Sequence, residues 1–350
     1  MTNAAGMSQR PLVAFLDMNV WIDIARGRRV GDSRWVAVFD GLLAAVAEHR
    51  VVLPLISSHY LELWNRSDQI SREGVATVMR DLSSYVTLAP IQDIRRREVA
   101  IAVERYSHPE AAGLAVEDLL GHGVNHAFNS SYGRFRFVES LASTDGSVAE
   151  GPSVPAPDSW TDVVREGPAW EWINLAGLDD VVHNPGLERT PTHRLGTAHV
   201  QEELRIRELI GRAPWARTRI EDIVVTEELQ ALTDSINAAC RQAGVDPYAL
   251  FLDNPTHADP SGAMRGFVRR LPSVDTAARL RVRKHQDLSH PWEQHDRVDI
   301  ISLATAVPYC DVVVTERRWV HLIQASRLAA DYKVRVGSGI GAVESLVSDA

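Results

Sequence analysis

Four carboxylic acids occupy places in the sequence where several carboxylates could bind one metal ion. Asp17 and Glu316 each directly follow a run that predicts a buried strand, and Asp299 lies in the first turn of a predicted helix. Glu62 lies about one turn into another predicted helix, and Asp296 is a fifth candidate, three residues before Asp299 on the same helix face. In an open parallel sheet, ligands bind at the carboxyl ends of the strands, which is where Asp17 and Glu316 are expected.

Carboxylates held close together favour a bound cation. Each pair costs on the order of a few kcal/mol at an effective dielectric near 20, so such a cluster raises its pKa values or recruits a cation. With oxygen ligands and no cysteine nearby, Mg²⁺ or Mn²⁺ is the natural ion. A divalent ion held by carboxylates is suited to phosphodiester hydrolysis, because it activates a water and neutralises charge on phosphate oxygens.

The elements that position these acids can be predicted at both ends of the chain. Ile300, Leu303, Ala304 and Val307 recur at helical spacing after Asp299, and a β-branched run covers residues 311–315. Residues 11–16 form a continuous apolar run, which is typical of a central parallel strand covered on both faces. We therefore expect these two strands, from opposite ends of the chain, to lie side by side in one sheet.

The remaining pattern predicts an α/β fold interrupted by a long insertion. Further strands are predicted over residues 51–55 and 85–88, with a helix over residues 59–66. Over residues 91–291 the strand signal almost vanishes and helical patterns dominate, apart from loose runs at 144–159 and 185–196. We predict a parallel sheet flanked by helices, built from residues 1–90 and 292–336, a mainly α-helical insertion of residues 91–291, and a flexible tail of residues 337–350.

Composition places this 350-residue chain among globular proteins with a large core. Hydrophobic residues make up 45% and charged residues 24%, and no apolar run is as long as a membrane span. Cys240 and Cys310 are the only cysteines, and no signal peptide is recognisable, so a cytoplasmic location is expected. The net charge of −9 argues against a surface coated in basic residues for indiscriminate DNA binding.

The four acid-bearing segments resemble, in chain order, the acidic motifs of PIN-domain nucleases, a family that includes the toxin ribonucleases of bacterial toxin–antitoxin pairs. The segments are Leu16-Asp17-Met18-Asn19-Val20-Trp21, Ser58-His59-Tyr60-Leu61-Glu62, Asp299-Ile300-Ile301-Ser302-Leu303-Ala304-Thr305-Ala306 and Val313-Val314-Thr315-Glu316. The resemblance covers the two outer parts of the chain and not the insertion. It implies a Rossmann-like parallel sheet flanked by helices and metal-dependent cleavage of RNA, single-stranded or structured. An antitoxin or a second copy of the chain is a candidate partner.

The resemblance also implies a role for each site residue. Asp17, Glu62, Asp299 and Glu316 would hold the metal and its water. Asp296 lies outside the matching segments and is a fifth candidate ligand, although a helix cap or a group that supports the ligands is the more common role for such a residue. Asn19 would brace Asp17 or a metal-bound water, and Thr315 would orient the site by hydrogen bonding. The sequence departs from the family pattern in two respects: the last acid is glutamate directly after the threonine, and the insertion is far longer than in the small toxins.

Simpler interpretations of the same residues stay open. Asp17 could serve only as a helix cap, and Glu62 only as a solvated helix residue. A basic stretch before the acidic helix is either a phosphate-binding surface or a solvated stripe; its members are Arg279, Arg281, Arg283 and Lys284.

Two other functions fit parts of the pattern. A haloacid-dehalogenase-type phosphatase also has an aspartate at the end of its first strand. However, that chemistry needs a second aspartate two residues on, where this chain has Asn19. It also needs a lysine partner, and Lys284 and Lys333 fit that role poorly. The third interpretation is an inactive PIN-like scaffold that binds partners without catalysis.

Overall fold

The structure, a computed structural model, describes residues 10–142, 148–156, 163–177, 192–252, 260–287 and 290–350. The strands are β1 (Leu12–Leu16), β2 (Val51–Val52), β3 (Val86–Leu88), β4 (Leu120–His122), β5 (Val138–Ala142), β6 (Val148–Ser153), β7 (Val312–Val314) and β8 (Arg335–Gly337). The helices up to residue 128 are α1 (Met18–Val30), α2 (Ser33–Ala47), α3 (Ser57–Trp64), α4 (Gln69–Ser83), α5 (Ile91–Ser107) and α6 (Gly123–Phe128).

The remaining helices follow β6. They are α7 (Gly167–Ala176), α8 (Thr192–Arg212), α9 (Pro214–Thr218), α10 (Ile220–Ala231), α11 (Thr233–Ala243), α12 (Ala249–Leu252), α13 (Pro260–Val268), α14 (Pro272–Gln286), α15 (Asp296–Ala306), α16 (Arg317–Ala325), α17 (Leu328–Asp331) and α18 (Gly339–Asp349). Within the described ranges, no helix combines the length and apolar character that crossing a bilayer requires.

A four-stranded parallel sheet in the order β2-β1-β7-β8 joins the two ends of the chain. Leu16 is in register with Val314, so the carboxyl ends of β1 and β7 lie next to each other. Successive residues of β1 face opposite sides of the sheet: Ala14 packs with α1, α2, α4 and α18, and Phe15 packs with α5, α15 and α16. The prediction that β1 is covered on both faces and lies beside the last acidic strand is confirmed.

The predicted insertion departs from an all-helical segment in two places. β4 pairs antiparallel with β3, and Thr87 of β3 bridges to Leu55, so residues 120–122 of the predicted insertion belong to the sheet region. β5 and β6 form an antiparallel hairpin, so the predicted linker is a strand over Val148–Ser153. Residues 192–196, predicted as loop, begin α8, while residues 144–147, 157–159 and 185–191 lie outside the described part of the chain.

The prediction of a flexible tail after residue 336 is wrong. Residues 339–349 form α18, in which Val343 and Leu346 are buried against the core around α2. The approach is close, because a Cβ atom at Gly41 of α2 would lie 2.5 Å from a methyl carbon of Val347. The glycines at 337, 339 and 341 mark the start of this helix and not a mobile end.

His59 of α3 is buried against β1 and α1, and its burial makes the fold sensitive to acid. Its ring stacks on Phe15 and meets Trp21 edge-on. Burial lowers the pKa of His59 from its ordinary value of 6.5 to about 3. Because the folded state disfavours the imidazolium, the unfolded chain takes up this proton first, and stability is lost as the pH falls from 6.5 toward 3. We expect a loss of about 2 kcal/mol in the free energy of unfolding between pH 6.5 and pH 5.

Urea denaturation of the wild type and of His59→Asn at pH 7, 6 and 5 measures this loss. The variant is expected to lose stability less steeply over that interval. His321→Asn is the matched control, because His321 is exposed on α16. If His59→Asn loses stability as steeply as the wild type, burial of this ring is not the cause.

Candidate metal centre

Asp17 lies at the carboxyl edge of the sheet, between β1 and α1. Its backbone N–H donates to the carbonyl of Val314, 2.9 Å away. One carboxylate oxygen, Oδ1, accepts from the N–H of Met18 at 2.7 Å, and Oδ2 accepts from the Thr315 hydroxyl at 2.6 Å. Asp17 therefore does cap a helix, and the same carboxylate is oriented by Thr315 in the way the sequence predicts.

Glu316 comes directly after Thr315 and precedes α16. The Asn19 amide donates to its Oε1 at 2.5 Å, which fixes the carboxylate beside the first turn of α1. Of the two predicted roles for Asn19, bracing Asp17 or a metal-bound water, the first is corrected, because the Asn19 amide contacts Glu316 and not Asp17. The two strand-end acids are thus each held by a polar residue of the neighbouring segment.

Helices α3 and α15 supply the other two acids. The hydroxyls of Ser58 and Ser302 are hydrogen-bonded at 2.9 Å, which joins the two helices. Asp299 accepts hydrogen bonds at Oδ2 from the indole N–H of Trp319 at 3.0 Å and from Arg318 at 3.1 Å. In the described part of the chain, no hydrogen-bond donor contacts the half-buried carboxylate of Glu62.

The charges of the four carboxylates act on one another. Burial raises the pKa of Glu62 well above its ordinary value, and the charges of Asp17, Asp299 and Glu316 raise it further. Burial also raises the pKa of Asp299 to about 7, with the charge of Asp17 as the next cause. Burial raises the pKa of Asp17 too, against the hydrogen bonds from Thr315 and Met18. We call Asp17, Glu62, Asp299 and Glu316 the four-carboxylate cluster.

Asp296, the fifth predicted ligand, lies behind this cluster. Its side chain is fully buried, with Oδ2 3.0 Å from the Lys284 ammonium and Oδ1 3.2 Å from the Arg318 guanidinium. Both oxygens therefore face a cation of the protein. The structure thus places Asp296 as an ion-pairing residue, which corrects its prediction as a ligand.

Arg318 is the site residue that the sequence reasoning missed. Besides Asp296, its guanidinium contacts Asp299 at 3.1 Å, Glu316 at 3.4 Å and Glu293 at 3.6 Å. It occupies the second position of α16, where the helix dipole disfavours a cation. That local conflict is the signal by which it could have been found.

The predicted basic surface on α14 is largely buried in ion pairs. Arg281 contacts Glu203 at 2.7 Å, Glu227 at 2.6 Å and Glu228 at 3.0 Å. Lys284 is equally buried, so neither side chain can reach a phosphate, and these two predicted contacts are wrong. Arg279 is half-buried and paired with Asp275 and Asp331, whereas Arg283 is exposed. Sequence alone does not distinguish an arginine buried among acids from a solvated one.

The oxygen ligands of the four-carboxylate cluster are of the kind that a divalent ion prefers, although the structure does not arrange them around one. Within the described residues, no group of three or more His, Cys, Asp or Glu side chains is placed to hold a metal ion. Asp17, Asp299 and Glu316 each turn an oxygen toward a donor of the protein. Glu62 has no such donor and faces three other carboxylates, which is the charge that a hard cation would compensate.

Comparison with known proteins reveals no relative of this chain. No family model, no curated protein and no solved structure matches it. The chemistry of the site therefore rests on its own residues and their geometry.

Proposed function

We propose that this protein is a PIN-like, Mg²⁺- or Mn²⁺-dependent endoribonuclease. The observation that carries the proposal is the convergence of Asp17, Glu62, Asp299 and Glu316 from distant parts of the chain. Burial and mutual repulsion raise the pKa of Glu62 and of Asp299, which is the electrostatic condition under which carboxylates recruit a cation.

The four-carboxylate cluster would hold the ion, and the neighbouring polar residues would fix its members. Thr315 orients Asp17, Asn19 orients Glu316 and Trp319 orients Asp299, each through one hydrogen bond. Such supporting contacts typically change metal affinity or activity by about 10–100-fold. When bound, the ion supplies activation of a water molecule and neutralisation of charge on the phosphate.

RNA as the substrate class comes from the resemblance to PIN nucleases. Two features support it: the acids occur in the family's order along the chain, and the strands that carry Asp17 and Glu316 are parallel neighbours. A cytoplasmic setting and an antitoxin or second copy of the chain as partner belong to the same proposal. The insertion of residues 91–291 would decide which RNA reaches the four-carboxylate cluster.

A cleavage assay with the full chain tests the proposal. Labelled single-stranded and hairpin RNAs are incubated with Mn²⁺, with EDTA, and with EDTA followed by excess Mn²⁺. We expect internal cleavage that EDTA stops and added Mn²⁺ restores. At equal RNA and protein concentrations, Glu62→Gln should show no such cleavage. Cleavage that survives EDTA or Glu62→Gln would contradict the proposal.

Binding of RNA at saturating Mn²⁺ without cleavage would assign the protein to inactive scaffolds. The hydrogen bonds that already engage Asp17 and Glu316, together with the presence of Arg318 among the acids, favour that alternative. Turnover of a phosphomonoester in place of RNA would instead indicate a phosphatase.

A further inference from the structure

Arg318 lies beside the four-carboxylate cluster and has partners of two kinds. Asp299 and Glu316 belong to the four-carboxylate cluster, whereas Glu293 and Asp296 lie outside it. A cation bound by the cluster would compete with Arg318 for Asp299 and Glu316 only. The Arg318 guanidinium would then still be held beside the four-carboxylate cluster by Glu293 and Asp296.

Asp296 is a buried anchor for this arginine. Its side chain is 0% exposed, and its Oδ1 has no hydrogen-bond partner within the described residues, facing only the Arg318 guanidinium. The ammonium of Lys284 balances the other oxygen and lies 5.2 Å from the ring of Trp292 and 5.9 Å from that of Trp319. A buried carboxylate that is neutralised on one side can orient a cation on the other without moving.

Most of the donor capacity of Arg318 is unused. A guanidinium carries five N–H donors in a planar fork that matches the geometry of phosphate. Within the described part of the chain, its one contact with hydrogen-bond geometry is to Asp299. Its Nε is buried without a hydrogen-bond partner, so the donors that a ligand could reach are those of the terminal nitrogens of a side chain that is 29% exposed.

An anionic ligand that binds beside the four-carboxylate cluster requires a cation that it can reach. The four-carboxylate cluster repels a phosphodiester, and burial keeps Lys284, at 3% exposed, from contacting any ligand. Arg318 is the described cation whose charge acts on both Asp17 and Asp299. We propose that Arg318 binds a backbone phosphate of the substrate beside the cluster, and that Asp296 is its positioning residue. The ligand class, RNA, rests on the proposed function.

Fluorescence anisotropy of a labelled single-stranded RNA in EDTA tests Arg318 without metal or cleavage. We expect Arg318→Gln to weaken RNA binding about tenfold and Arg318→Lys to weaken it less, because lysine keeps the charge but not the fork. The slope of log affinity against log salt should fall by about 0.7 for Arg318→Gln, the loss of one phosphate contact. Arg317→Gln is the matched control, since Arg317 is exposed at the preceding position, and its affinity should change less than twofold.

The outcomes separate the two proposals. Unchanged or tighter RNA binding by Arg318→Gln, with an unchanged salt slope, overturns the role of Arg318 even if the wild type cleaves RNA. Weaker binding by Arg318→Gln in a protein that never cleaves RNA supports Arg318 and overturns the nuclease. A wild type that binds no RNA overturns both. Should Arg318→Gln not fold, as judged by circular dichroism, the salt slope and affinity of Arg318→Lys against Arg317→Gln decide.

Discussion

Asp17→Asn is expected to reduce RNA cleavage by at least about 100-fold while leaving the fold intact. Supporting residues around metal ligands typically cost 10–100-fold when changed, so the loss of a ligand should cost at least as much. The fold should tolerate the change, because an amide oxygen can still accept from the Met18 N–H that Asp17 caps. Removing a buried carboxylate whose pKa is raised by burial also relieves repulsion within the cluster.

The measurement is a time course of cleavage at saturating Mn²⁺, with thermal melting of the same samples. Asp23→Asn is the matched control, because Asp23 lies on the same helix, points away from the cluster and pairs with Arg26. That variant should cleave at the wild-type rate. Undiminished cleavage by Asp17→Asn would show that the strand-end carboxylate takes no part in the chemistry.

Arg281→Met is expected to lower the free energy of unfolding by about 3–5 kcal/mol. Arg281 is buried and contacts Glu203, Glu227 and Glu228. Methionine fills much of the same volume but leaves these acids without their shared cation. His285 contacts Glu203 at 2.7 Å and Arg95 contacts Glu228 at 3.3 Å. Among the described residues, these two contacts leave Glu227 without a partner and cannot replace the three that Arg281 makes. The cost is therefore that of an uncompensated buried charge and not of lost packing.

Urea denaturation at neutral pH, followed by circular dichroism, measures this effect. Arg283→Met is the matched control two residues further along α14, where the side chain is exposed, and it should change stability by less than about 0.5 kcal/mol. Equal stabilities of the two variants would mean that the acids around Arg281 are compensated by other groups or by water.

The framework of the sheet could be predicted from the sequence because its central strands are buried on both faces. Continuous apolar runs in β1 and β7 record that burial directly, and an acid after each run marks the carboxyl edge. The pairing of β1 with β7 could be predicted from the same pattern, because both strands are apolar and both are followed by an acid. These patterns are local and do not depend on the rest of the chain. The order of the acids along the chain can therefore be read from the sequence as well.

The errors in the fold depend on packing or pairing partners that the local sequence pattern does not reveal. Helix α18 begins among glycines, and its burial depends on Gly41 of α2, which lets Val347 approach. The β5–β6 hairpin likewise depends on pairing between two segments of weak strand character.

Charged residues give the same lesson at the site. Lys284 and Arg281 have the sequence appearance of a basic stripe, and only their acidic partners on other helices reveal them as buried pairs. Arg318 breaks a local rule, since arginine in the first turn of a helix opposes the dipole. Violations of this kind occur at functional sites, where a residue serves the site at the expense of the helix.

Diffraction from crystals soaked in Mn²⁺, recorded for the anomalous signal of manganese, tests the central claim most directly. The account predicts a single strong peak about 2.1 Å from carboxylate oxygens of Asp17, Asp299 and Glu316. Glu62 should contact the ion directly or hold a water bound to it, and Arg318 should be withdrawn toward Asp296. No peak among these four acids at saturating Mn²⁺, with Arg318 still on Asp299 and Glu316, would contradict it.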